Sequence, residues 1–205
     1  KVIGVEPEGA ACMKASLERG EVTTLPKVST IADGTAVKTP GHNIFPYIQK
    51  NVDEILTVSD DELIVAFLDM VENHKMVVEN SGLLTVSALK HLNVRGKKIV
   101  SVLSGGNMDV ITMASVVQRG LIQRDRIFTV SVLLPDRPGE LVRVASVIAE
   151  QQGNVIKLEH NQFVSTNRNA AVELRITLEA FGTEHKMSII QALKDHGYDP
   201  VQKTA

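Results

Sequence analysis

A chain of 205 residues with 43% hydrophobic residues and a formal charge of −2 is globular in composition and long enough for one large core or two small ones. No basic run exceeds the stretch from Arg95 to Lys98, and five phenylalanines, two tyrosines and no tryptophan leave little on which bases could stack, so nucleic acid is not an expected partner. The single cysteine, Cys12, excludes an internal disulfide, and no apolar run approaches the roughly 20 residues of a membrane span. With no signal-like segment at its start, the chain reads as cytoplasmic, without membrane partners.

The opening, KVIGVEPEGAA, has a strand pattern from Val2 to Val5 that ends at Glu6 and Pro7. It lacks an initiator methionine and a preceding cap, which predicts a fragment that starts inside a domain. Further strands are expected at Ile55 to Val58 and Ile99 to Leu103, alternating with helical stretches in α/β order. The clearest helix begins near Asp60: Ser59 and Glu62 form an S-x-x-E capping box, and Leu63, Phe67, Leu68 and Val71 share a face. Ser81 to Leu92 and Met108 to Val117 predict two more helices. The polar stretch Gln118 to Arg126, with Gly120, reads as an exposed linker, placing one domain at 1–119, a linker at 120–126 and a second domain at 127–205.

In the second domain Phe128, Val130, Val132 and Leu134 alternate as a strand, and Leu141, Val144, Ala145 and Ile148 repeat with helical spacing. Gly153 marks a helix stop, Val155 to Phe163 reads as a strand, Ser165 to Asn169 as a loop, and Val172 to Leu178 as a strictly alternating strand. A helix from Thr183 to His196, closed by Gly197, and an edge strand near Pro200 to Gln202 complete a βαββαβ, ferredoxin-like order. Between the first strand and helix, Asp136, Arg137, Pro138, Gly139, Glu140 and Leu141 form a turn in which Asp136 is placed to cap the helix and Pro138 to open its first turn. Its free N–H groups could hold a small carboxylate, with Asn154 reaching in from the next strand; a well-capped βα turn with no ligand is the other reading.

The βαββαβ order, with DRPGEL after its first strand and GNVIKLEH opening its second, resembles an ACT domain, the small regulatory fold of amino-acid metabolism. That resemblance implies amino-acid binding between paired copies, at the turn from Asp136 to Leu141 and at Asn154. In the first region GVEPEGAA, TIADGTAVKTPG, DEILTVSDDEL, VVENSGLLTVSAL and IVSVLSGGNMD occur in the order found in pyridoxal-phosphate enzymes of the threonine dehydratase and serine racemase type. Together the two regions look like the C-terminal half of a threonine dehydratase, also called threonine ammonia-lyase: a partial tryptophan-synthase-β-like (fold type II) α/β domain followed by an ACT domain.

The resemblance implies pyridoxal 5'-phosphate as cofactor. Ser104 would hydrogen-bond the pyridine nitrogen, with Gly105 and Gly106 letting the ring approach the backbone; the other reading is a tight strand-to-helix turn. Glu79 would lie near the ring or serve as a helix-entry acid, and Gly34 would line the cofactor's side or form an ordinary Asp-Gly turn. Glu6 and the Ala10 carbonyl match a site for a monovalent or divalent cation, yet Cys12 stands where an oxygen ligand is usual. The six histidines show no ligand spacing.

The S-F-K-x-R-G motif that carries the family's Schiff-base lysine does not occur in the chain, nor does the glycine-rich phosphate cradle, so these residues alone are expected to be inactive. The implied parent reaction turns L-threonine into 2-oxobutanoate and ammonia, with isoleucine or valine as effector and a homodimer or homotetramer as assembly. The competing reading is a non-catalytic amino-acid-binding sensor whose first domain has lost its chemistry.

Overall fold

The computed structural model describes residues 1–162 and 172–203, and the chain separates into two compact units, Lys1–Gly120 and Leu121–Ala205. In the first unit β1 (Ile3–Pro7) leads through a single 3-10 turn into α1 (Cys12–Arg19), and α2 (Phe45–Asn51) leads into β2 (Glu54–Val58). β1 and β2 pair in parallel, Ile3 against Glu54 through Pro7 against Val58. A parallel pair needs a crossover, which the intervening helices supply.

α3 (Asp60–Asp69) begins with the expected capping box: the Glu62 amide donates to Ser59 Oγ at 3.3 Å and the Ser59 amide to Glu62 Oε2 at 2.7 Å. Leu63, Ile64, Phe67 and Leu68 are buried, the first three in a cluster with Val58, Val78, Leu83 and Val116. The helix expected over Ser81 to Leu92 is broken into a 3-10 turn (Asn80–Leu83), α4 (Leu84–Ser87) and a second 3-10 turn (Ala88–His91). Its Ser87 hydroxyl donates back to the Leu83 carbonyl at 3.0 Å, a local bond that competes with the helical ladder.

The strand expected at Ile99 to Leu103 is not formed. Among the described residues the first unit's sheet contains only β1 and β2, so this β-prone run has no ladder neighbour, and Val100 is 90% exposed. The supposed linker is also different, because α5 (Val110–Gln123) runs through Gln118 and Gly120. A Cβ on Gly120 would come within 2.5 Å of Leu68 Cδ1, so this glycine serves close helix packing and does not mark a flexible joint.

The second unit follows the expected βαββαβ order: β3 (Ile127–Leu134), α6 (Glu140–Glu150), β4 (Asn154–Asn161), β5 (Val172–Glu179), α7 (Thr183–Asp195) and β6 (Val201–Lys203). The antiparallel sheet is ordered β4-β5-β3-β6. Alternate residues of β3 and β5 (Val130, Val132, Leu174, Ile176) bury against Val144, Ile148, Ile189 and Leu193 of the two helices. That is the packing predicted by period-2 strands facing period-3.6 helices. The expected loop at Ser165 to Asn169, and Phe163, lie outside the described residues. Asp136 does not cap α6; Gly139, at φ 93°, is the N-cap, because the helix starts at Glu140, a full turn beyond Asp136, and Pro138 accordingly precedes it. Gly153 has a packing role: a Cβ there would lie 2.8 Å from Ile148 Cγ2 and 3.0 Å from Ile189 Cδ1.

Candidate functional site

Two loops of the first unit meet at Glu79. The Glu79 amide donates to the Gly105 carbonyl at 3.4 Å, and the Asn107 amide donates to Glu79 Oε2 at 3.2 Å. Gly105 sits at φ 76°, in the left-handed region, and a Cβ there would fall 2.2 Å from Glu79 Oε1. Gly82 fits as closely on the other side, since its Cβ would meet the Ser104 carbonyl oxygen at 1.7 Å. These contacts bind the E-N-S-G segment to the S-G-G-N turn.

Between them lies a cavity of about 280 Å³ whose lining includes Gly34, Glu79, Asn80, Ser81, Asn107 and Asp109. Gly34 is there because a Cβ would approach Ser81 Oγ to 2.9 Å. Of the residues anticipated from sequence, Gly34 and Glu79 share this lining, and Gly105 stands directly against Glu79. Ser104 and Gly106 are exposed and outside the lining.

Asp33, Asn80, Asn107, Asp109 and Thr112 were not singled out from sequence, although several lie inside the motifs quoted there. Asp109 shows why: its carboxylate is occupied at the start of α5, accepting from the Ile111 and Thr112 amides at 2.9 Å each and from the Thr112 hydroxyl. Those bonds, the Thr112 hydroxyl first, hold its carboxyl below the usual carboxylate range. D-x-x-T at a helix entry was the available signal.

The cavity can be tested against a flat heterocyclic cofactor. Gly34 keeps its part of the wall free of a side chain, whereas the space beside Gly105 is filled by the Glu79 carboxylate. Asn80, 5% exposed, donates through Nδ2 to the Ile31 carbonyl at 3.0 Å while its buried Oδ1 has no partner. A buried acceptor without a donor is a feature a ligand or water can satisfy. The lining carries Asp33, Glu79 and Asp109 and no lysine, arginine or histidine, so it suits the ring and its donor groups and not a phosphate.

The Glu6 carboxylate, anticipated with the Ala10 carbonyl as a cation ligand, is engaged by other bonds. Both Glu6 oxygens accept from α1, from the Met13 amide at 2.9 Å and the Lys14 amide at 2.8 Å, a favourable use of a carboxylate at a helix N-terminus. Cys12 is buried, and burial, followed by the nearby Glu6 charge, pushes its thiol pKa up, which keeps it a neutral and poor ligand. No group of three or more His, Cys, Asp or Glu side chains that could hold a metal occurs among the described residues.

In the second unit a cavity of about 330 Å³ is lined by the whole turn from Leu134 to Leu141 together with His160, Gln162 and Val172. Asn154 is not part of it. The register pairs Asn154 with Glu179 and Glu179 with Ile127, at the end of the sheet opposite Leu134, and Asn154 Nδ2 donates to Glu179 Oε2 at 3.1 Å. No helix among the described residues is long and apolar enough to cross a membrane.

The geometry defines a mixed α/β protein with a cavity in its first unit lined by Gly34, Glu79 and the buried Asn80. The pyridoxal-phosphate dependent enzyme model matches residues 1–105, and the chain belongs to that family, whose cofactor is pyridoxal phosphate. The chain is 38% identical over 200 residues to an L-threonine ammonia-lyase of Geobacter sulfurreducens, covering 97% of this chain and 50% of that protein. It is 36% identical to the L-threonine ammonia-lyase of Thermotoga maritima, with the same coverage. The solved processed form of threonine deaminase isoform 2 from Solanum lycopersicum superposes with a TM-score of 0.54 at 33% identity, over 58% of this chain and 36% of that one. The chain thus spans about half the length of the curated relatives it matches.

Proposed function

We propose that these residues are part of a pyridoxal-phosphate-dependent L-threonine ammonia-lyase that forms 2-oxobutanoate and ammonia, and that the second unit is its amino-acid-binding ACT domain. One observation carries this reading: the similarity to the Geobacter ammonia-lyase runs over 97% of the chain and therefore through both units. When bound, the cofactor withdraws electrons from the substrate's α-carbon and eases loss of its proton.

The chain's own residues would supply one wall of the ring's site. Gly34 would leave one side of it open, and Glu79, packed against Gly105 and held by the Asn107 amide, would set the local charge. Ser104, exposed at the turn and outside that lining, would offer by the family resemblance a neutral hydroxyl to the ring nitrogen, which could not keep that nitrogen protonated as a carboxylate would. The phosphate and the Schiff-base lysine call for residues outside this chain.

The effector site is assigned to the cavity at the turn from Asp136 to Leu141. Asn154 sits at the far end of its own sheet and is bonded to Glu179, so a role for it at this cavity would require a second copy. The test is release of 2-oxobutanoate from L-threonine by the longer polypeptide that contains these residues. No release, with amino acids still binding to the second unit, would leave the sensor reading in its place.

A further inference from the structure

α6 begins at the cavity of the second unit, to whose lining Gly139, Glu140 and Leu141 contribute, and it ends at Glu150 with Gln151 as its C-cap. The Gln151 carbonyl accepts from His185 Nε2 at 2.6 Å, and the Phe181 amide donates to His185 Nδ1 at 3.1 Å. A ring nitrogen that faces an N–H must accept, so the proton of this imidazole sits on Nε2 and both nitrogens are engaged. The ring also stacks on Phe181, centroids 4.8 Å apart and planes 14° from parallel, and so holds an aromatic side chain that is 78% exposed. Phe181 lies in the short connection between β5 and α7. That connection and the first turn of α7 grip the residues that follow α5: the Ala180 amide donates to the Arg126 carbonyl at 2.9 Å, and Thr183 and Lys186 both bond to the Asp125 carboxylate. Asp109 and Thr112, at the entry of α5, line the cavity described in the first unit.

We propose that His185 is the coupling residue of the second unit: it carries a displacement of α6, set by an amino acid in the cavity at that helix's start, to the connection that grips the residues after α5. A helix of 11 residues, about 16 Å long, is held together by its own ladder, so a ligand that favours one position of its first turn is felt at Gln151. From Gln151 the route runs from carbonyl to imidazole to amide through a planar ring, which cannot absorb the shift by rotating about internal single bonds. Histidine suits this place because one ring presents a donor and an acceptor in two directions; asparagine could replace only the acceptor, and glutamine only the donor. The inference rests on the effector assignment made above and not on the proposed reaction.

The experiment follows backbone hydrogen exchange in the longer polypeptide that contains these residues, with L-isoleucine or L-valine as the probe and calorimetry to measure its binding. The bound probe should slow exchange at the Ala180 and Arg126 amides by about fivefold or more. His185→Gln keeps a donor for the Gln151 carbonyl, and His185→Asn keeps an acceptor for the Phe181 amide. Each should bind the probe with a dissociation constant within about fivefold of the parent's, while the slowing falls below about twofold. Either variant gives the reading if the other fails to fold. A residue that only supports the fold would lower the urea midpoint and leave the slowing in place, which would overturn the proposal. So would measured binding to the parent protein with no slowing at Ala180 and Arg126. Absence of any binding is a different result: it would remove the effector site itself, and this inference with it.

Discussion

The carboxylate of Glu79 fills the volume that a side chain at position 105 would require, with Oε1 only 2.2 Å from the place of the missing Cβ. Gly105→Ala therefore acts in two ways. The left-handed φ of 76° costs about 1–2 kcal/mol for a residue with a Cβ, and the methyl pushes Glu79 off the Asn107 amide. Gly20, at φ 75° with nothing within 4 Å, is the control: Gly20→Ala should show only the backbone cost. Urea unfolding of both variants, with cofactor absorbance of the complete enzyme, separates strain from damage to the site. Equal effects on the absorbance would remove Glu79 from the cofactor wall.

Gly82→Ala should be worse than Gly105→Ala. Its Cβ would meet a backbone atom, the Ser104 carbonyl oxygen at 1.7 Å, which cannot swing aside as the end of a glutamate can. The expectation is a loss above about 3 kcal/mol, the upper range for overpacking, or failure to fold, read by circular dichroism and thermal unfolding.

Asp125 connects the end of α5 to the start of α7. Lys186 Nζ donates to one of its oxygens at 2.8 Å and the Thr183 hydroxyl to the other at 2.8 Å. The bond from Lys186, then that from Thr183, holds its carboxyl below the usual carboxylate range against the opposing effect of burial. A depressed folded value means that the stabilisation is present above the unfolded value, about 3.9, and is lost as pH falls through the lower folded one. Asp125→Asn should flatten the acid limb of the stability profile without backbone strain, since asparagine also tolerates the φ of 55° found here. An unchanged acid limb in urea titrations from neutral pH downward would contradict this.

Ser59→Ala tests the capping box of α3. Loss of the hydroxyl that accepts from the Glu62 amide should cost about 1 kcal/mol. Glu62 is also bonded to Lys90 Nζ at 2.7 Å and His91 Nε2 at 2.8 Å, so Glu62→Ala should cost more than Ser59→Ala in the same urea titration.

Local chemistry was legible wherever neighbours in sequence supply the partner. The box at Ser59 and Glu62, the alternation of Val172 to Leu178 and the βαββαβ order all follow from spacing, because their bonds close within a few residues or their faces repeat with a fixed period. The motifs around Gly34, Glu79 and Ser104 announced a cofactor wall by their kind and order, and two of these residues share one cavity. What spacing could not show is which groups are already engaged. Glu6 is taken by the amides of α1, Asp109 by those of α5, and Asn154 by Glu179 at the wrong end of its sheet.

The amino-acid order by itself determined the two rhythms of this protein, its turns and the residue types offered to a cofactor, since propensity and periodicity act over a few residues. Only the tertiary structure decided that Ile99–Leu103 is no strand, that Gly120 and Gly153 are packing residues, and that Glu79 meets Gly105. The physical reason is that a strand, a close approach or a free carboxylate is a property of two segments at once, and the second segment lies tens of residues away.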